Sequence, residues 1–108
     1  MMISAGAYAA EAEDAVHPAI GVIPPSELRA SDIRDLPERD RLSWIAGAVG
    51  AMAQATSEND VSEARCITDW YFRGGSGPTV LNAAFERYPD HYATAVVAAA
   101  TRNACRTD

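Results

Sequence analysis

Lysine is absent from this chain, and all nine of its basic residues are Arg. Without Lys there is no Schiff-base chemistry and no phosphate-binding P-loop, since both need its ammonium group. Long apolar runs are also missing. The longest, Trp44 to Ala53, has ten residues, where a bilayer span needs about twenty, so no membrane span is expected. Cysteine and histidine are held to two each. Cys66 and Cys105, with His17 and His91 far apart in the chain, lack the clustered spacing of a zinc set, and neither a metal nor a cofactor is expected. Positive charge is in short supply, because nine Arg against 15 acidic residues leave a net charge of −6. Direct binding to nucleic acid or to an anionic membrane needs a basic footprint. The charge argues against both and permits a basic protein partner.

What remains is the composition of an ordinary globular domain. A chain of 108 residues that is 48% apolar and 22% charged can bury one modest core and no more. Its first residues include Ala7-Tyr8-Ala9, a small-residue pattern suited to signal peptidase, followed by Glu11, Glu13 and Asp14. No charged region and no full apolar stretch stands before that pattern. Two readings stay open: the tail of an export signal whose start lies upstream, or a disordered Ala-rich arm. Four of the six prolines (18, 24, 25 and 37) fall in or just after residues 1–36, which show no sustained helical period. Residues 1–36 are therefore read as a mobile or extended N-terminal segment and 37–108 as a helical domain. Pro24-Pro25-Ser26-Glu27 is expected to be an extended linker turning into a short helical piece, with Ser26 as N-cap.

After Pro37 the helical signals are dense. Pro37-Glu38 opens a helix with Pro and acid at its first turn, as the orphan amides there prefer. Leu42, Ile45, Ala46, Val49, Met52, Ala53 and Thr56 follow at helical spacing. Gly47, Gly50 and Ala51 form a small-residue face, expected to pack within the chain on the Ala93–Ala100 run, with dimerisation secondary. A phosphate-loop reading of Gly47-Ala48-Val49-Gly50 fails because no strand precedes it. Asp60-Val61-Ser62-Glu63 has the spacing of a capping box and opens a second helix. That helix presents Val61, Ala64, Ile67 and Tyr71 on one face with Trp70 beside them, and Gly74-Gly75 closes it with a left-handed cap. Ser76-Gly77-Pro78 starts a third, with Val80, Leu81, Ala84, Phe85 and Tyr88 as its buried stripe, stopped by Pro89. The fourth is expected from about Pro89 to Ala104. No alternating, strand-like period appears after Pro37. The expected fold is all-α, a compact bundle of about four helices with a Pro-rich extended N-terminal segment.

Cys66 and Cys105 stand 39 positions apart, one in the second helix and one at the end of the fourth. Three readings are open: a disulfide, two inert buried thiols, or a catalytic thiol. A bridge of that span contributes on the order of 4 kcal/mol through loop-closure entropy. It also needs an oxidising compartment, in keeping with the export-like N-terminus. Catalytic constellations are thin. His91 next to Asp90 makes no dyad, because helix neighbours point different ways. Asp69 has no identifiable acid partner among Glu63, Glu86 and Asp90, and Ser43, Ser62 and Ser76 lack a nucleophile-elbow context. No catalytic residue is assigned, and the chain is read as a non-enzyme.

Surface contact offers more. Trp70-Tyr71-Phe72-Arg73 places three aromatics in one turn, radiating over about 200°, so not all can face the core. Phe72 and Arg73, with Asp69 and Trp70, are the candidate partner-binding residues, an aromatic-plus-Arg set typical of binding hot spots. Glu58, Asp60 and Glu63 gather at the second helix's start, where capping accounts for them.

The order Leu42-Ser43-Trp44-Ile45-Ala46-Gly47, then Cys66-Ile67-Thr68-Asp69-Trp70-Tyr71, then Tyr88-Pro89-Asp90-His91, then an Ala/Val helix closed by Cys105, resembles a class of small exported bacterial helical proteins. That class carries two cysteines, one near the middle and one at the last helix's end. It is similar to the immunity proteins that neutralise type VI secretion amidases, and more loosely to periplasmic acid-stress chaperones of the HdeA type. The resemblance covers about Leu36 to Cys105. It implies a periplasmic or secreted domain that sequesters a protein partner as an immunity-type inhibitor or chaperone, working as a monomer or homodimer. The alternative from the residues alone is a cytoplasmic acidic inhibitor, a phage-type anti-defence protein that blocks a basic nucleic-acid-binding surface. Paired cysteines favour the first reading and free thiols the second.

Overall fold

A computed structural model describes residues 24–106 of the chain. The expectations for residues 1–23, an export tail or a mobile or extended segment, lie outside the described residues. Five α-helices follow a 3-10 turn at Pro25–Glu27: α1 (Ala30–Arg34), α2 (Glu38–Ser57), α3 (Val61–Phe72), α4 (Gly77–Arg87) and α5 (Ala93–Cys105). Among the described residues there is no strand, only one isolated bridge between Arg29 and Tyr92. The all-α expectation holds, with one more helix than foreseen.

The additional helix is α1, and with it the packed body begins before Pro37. Leu28, Ala30, Ile33 and Leu36 are all buried in the central cluster. Five residues make little more than one turn, too short to show a period, and such a helix does not stand alone. The connection between α4 and α5 holds it in place. Ala30 N–H donates to the His91 carbonyl at 2.7 Å, Ser31 N–H to Pro89 at 3.0 Å, and Ala93 N–H returns to Leu28 at 2.8 Å. The Asp32 carboxylate accepts from Arg29 N–H at 2.8 Å, while the Arg29 guanidinium lies 4.2 Å from the centre of the Tyr92 ring. Ser26 sits inside the 3-10 turn and caps nothing, since the N-cap of α1 is Arg29. The same bonds explain why α5 starts at Ala93 and not near Pro89. The carbonyls of Pro89 and His91 serve the orphan amides of α1 and are not available to a helix of their own.

Most other boundaries follow local chemistry. Pro37 is the N-cap of α2, with Glu38 and Asp40 in the first turn. Asp60 caps α3 by accepting from Glu63 N–H at 2.9 Å. Only this half of the capping box forms, because Asp60 N–H already donates to the Thr56 carbonyl at 2.8 Å. Gly74, at φ 83°, turns the chain out of α3, and Tyr88 before Pro89 ends α4.

The core joins the α1 residues to Ile45 and Val49 of α2, Ile67 of α3, Leu81 and Phe85 of α4, and Val97 of α5. Trp44 meets Phe85 edge-on at 6.5 Å between ring centres. Cys66 and Cys105 form a disulfide with Cα atoms 5.7 Å apart, tying the middle of α3 to the last residue of α5. Several residues expected inside are not. Leu42, Val61, Val80 and Tyr88 are exposed, with no described element lying over them.

The small-residue face of α2 is corrected more sharply. A Cβ built on Gly47 or on Gly50 meets nothing within 4 Å, so this face does not pack on α5. Gly47 follows Ile45 by two positions, about 200° around the helix, and therefore points away from the core. Both glycines weaken α2 with no packing in return. Gly47→Ala is expected to raise stability by about 0.5–1 kcal/mol, read as a higher melting temperature. A lower one would mean that another surface packs against this face.

Candidate functional site

The C-terminal end of α3 is built by a tight turn. Gly74 reverses the chain, and residues 75–77 then pass directly over the last turn of the helix. A Cβ on Gly77 would stand 2.8 Å from the Trp70 carbonyl oxygen, 2.9 Å from Tyr71 Cα and 3.1 Å from the Trp70 ring. The start of α4 thus covers Trp70, which packs against the core and is half-buried. Trp70 is therefore not part of the exposed patch. Its neighbour Tyr71 is also half-buried, and burial pushes its phenol above the ordinary tyrosine range.

Phe72 emerges on the other side, 48% exposed. Its ring stands edge-on to Tyr71 at 4.9 Å between centres, which holds it without covering it. Arg73 reaches back one turn to Asp69, Nε to Oδ1 at 3.7 Å, with both side chains solvent-exposed. Such a pair contributes little to stability. Asp69, Phe72 and Arg73 line a shallow groove between α2 and α3, together with Gly50 and Gln54 of α2 and exposed Val61. Three of the four residues expected at the site converge, and the fourth, Trp70, is turned to the core under the start of α4.

A second and larger groove runs between α4 and α5, about 980 Å³ in volume. Val80, Ala84, Ala95, Ala99 and Ala100 form its walls and floor. Tyr88 and His91 stand at one end, ring edge to face at 5.2 Å, and Arg102 and Arg106 at the other. The sequence pattern did not reveal this groove. Helical spacing groups Val80 and Tyr88 with Leu81 and Phe85, and it cannot show that no helix lies over the first pair. The available signal is the alanine run of α5, whose Thr94, Ala95 and Ala99 stay uncovered.

The residues considered for chemistry do not assemble. His91 rests on Tyr88, and Asp69 is paired with Arg73 and not with another acid. Among the described residues, no group of three or more His, Cys, Asp or Glu is placed to hold a metal ion, and no helix is long and apolar enough to cross a membrane. No family model, curated protein or solved structure matches the chain.

Proposed function

We propose that this chain is an exported, non-enzymatic protein-binding domain, an immunity-type inhibitor or chaperone that holds its partner at the C-terminal end of α3. The observation carrying this reading is Phe72: a large ring, half-exposed, fixed beside the Arg73–Asp69 pair on a helix pinned by a disulfide. An apolar anchor next to a charged fork is the usual make-up of an interface hot spot. Its placement on a braced helix also limits the ordering cost of binding. The bridge supports export, since such bonds persist in oxidising compartments, and it counts against a cytoplasmic acidic inhibitor with free thiols. Exposed Asp60 at the N-cap of α3 and exposed Asp69 within it favour a basic partner and speed its approach at low salt.

The test compares the wild-type chain with the Phe72→Ala/Arg73→Ala pair as bait for toxins and unfolded clients from the secreted and periplasmic proteins of its own host. The pair is expected to keep the circular dichroism spectrum and melting temperature while weakening the partner captured by wild type at least about tenfold. Retained binding would move the site elsewhere, and a melted fold would make Phe72 part of the core. One-to-one protection against a single toxin distinguishes an inhibitor from a chaperone, which would instead suppress aggregation of many clients.

A further inference from the structure

We propose that the groove between α4 and α5 is a second docking site, which takes an acidic amphipathic helix of about three turns. This inference is independent of the Phe72 patch and rests on the shape and charge of the groove. Its walls are two helices whose backbone groups are paired within themselves, and no strand occurs among the described residues. An extended peptide would find no sheet edge to join. A floor of Ala84, Ala95, Ala99 and Ala100 lets an incoming helix approach closely, with Val80 and Tyr88 flanking it as apolar walls.

Charge selects the partner. In a chain with net charge −6, the described residues lining this groove include Arg102 and no carboxylate, while Asp60 and Glu63 lie across a separate, smaller groove that Arg102 also borders. Arg87 adds to the Tyr88 end, its guanidinium 5.8 Å from that ring's centre, and it follows Val80 by seven residues, on the same side of α4. The acids nearest in sequence face elsewhere. Glu86 stands about 200° around α4 from Ala84. Glu86 and Asp90 both lie close enough to Arg34 of α1 to help raise that group's pKa, after the larger effect of its hydrogen bond from Nε to Asp35. The α2/α3 groove, by contrast, carries Asp69 along with Arg65 and Arg73.

A helix-terminal Arg102 also offsets the dipole of α5, so the test must read ligand choice and not stability alone. A display library of helical peptides of about 14 residues, apolar on one face with Glu, Lys or Ser randomised on its flanks, is selected on the full-length protein. The enriched pool should be acidic and should shift backbone amide signals within residues 80–106. Arg102→Glu should weaken the pool at least about tenfold, and Ala99→Glu or Ala95→Glu, both at exposed positions, should abolish binding with the melting temperature retained. No enrichment, a neutral or basic pool, or a footprint on the α2/α3 groove would overturn the proposal. So would a dimer that dissociates on Ala99→Glu, which makes the occupant a second copy. Signals of residues 1–23 that move with Ala99→Glu would overturn it too, since the occupant would then be the chain itself.

Discussion

Reduction of the Cys66–Cys105 bridge is expected to lower the melting temperature by roughly 15–30 °C. The bridge closes a loop of 39 positions, and releasing that constraint from the unfolded chain corresponds to about 4 kcal/mol. A domain of this size loses about 4–8 °C per kcal/mol. The position of the bridge adds to the effect. Cys105 is the last residue of α5 and is 6% exposed, so without the bond the end of that helix loses its covalent tie to α3. A Cys66→Ala/Cys105→Ala pair is the cleaner variant, because Ser would bury an unpartnered hydroxyl. Melting curves with and without dithiothreitol give the measurement: the wild type should fall to the level of the Ala pair, and the pair should ignore the reductant. A reduced wild type melting within about 3 °C of the oxidised form would show that packing alone holds α3 to α5. Both proposed surfaces depend on this tie, since α3 carries Phe72 and α5 forms one wall of the second groove.

Gly77→Ala should be strongly damaging for a single added methyl group, at about 2–3 kcal/mol, or roughly 10–20 °C in melting temperature. Two of the three atoms nearest its added Cβ, the Trp70 carbonyl oxygen at 2.8 Å and Tyr71 Cα at 2.9 Å, are backbone and cannot rotate aside. The start of α4 would have to lift off the end of α3, uncovering Trp70 and loosening the stage on which Phe72 stands. Gly75 faces the same backbone even more closely. The comparison with Gly47→Ala is instructive, because one substitution should stabilise and the other destabilise although both glycines lie in helices. A Gly77→Ala protein that melts with the wild type would mean that the α3–α4 turn has room the geometry does not show. Binding measured alongside should fall in Gly77→Ala even where the fold survives, through the displaced Phe72.

Local chemistry made the helix ends legible. Pro37, Asp60, Gly74 and Pro89 act on their own neighbours through ring closure, side-chain capping or permitted dihedral angles, and each stops or starts a helix where its residue type requires. For Cys66 and Cys105 the sequence offered a disulfide as one of three readings, and the structure pairs them. Spacing placed Ile45, Val49, Ile67, Leu81, Phe85 and Val97 in the core, where they are.

Coverage was not legible, because a helical period ranks the faces of one helix and carries no information about what lies against them. Val80 and Tyr88 share the stripe of Phe85 yet border an open groove, and the Gly47 face points into solvent. Trp70 and Phe72 are two residues apart and equally apolar. Only the chain passing over Gly77 decides that the first is covered and the second is offered to a partner. The same holds for α1, whose single turn exists because carbonyls some sixty positions later, at Pro89 and His91, accept its amides. The sequence by itself determined the class of fold, the local start and stop signals of α2, α3 and α4, and the residues able to staple it. The tertiary structure decided which of their faces remain free to bind, because exposure depends on distant segments that no local pattern records.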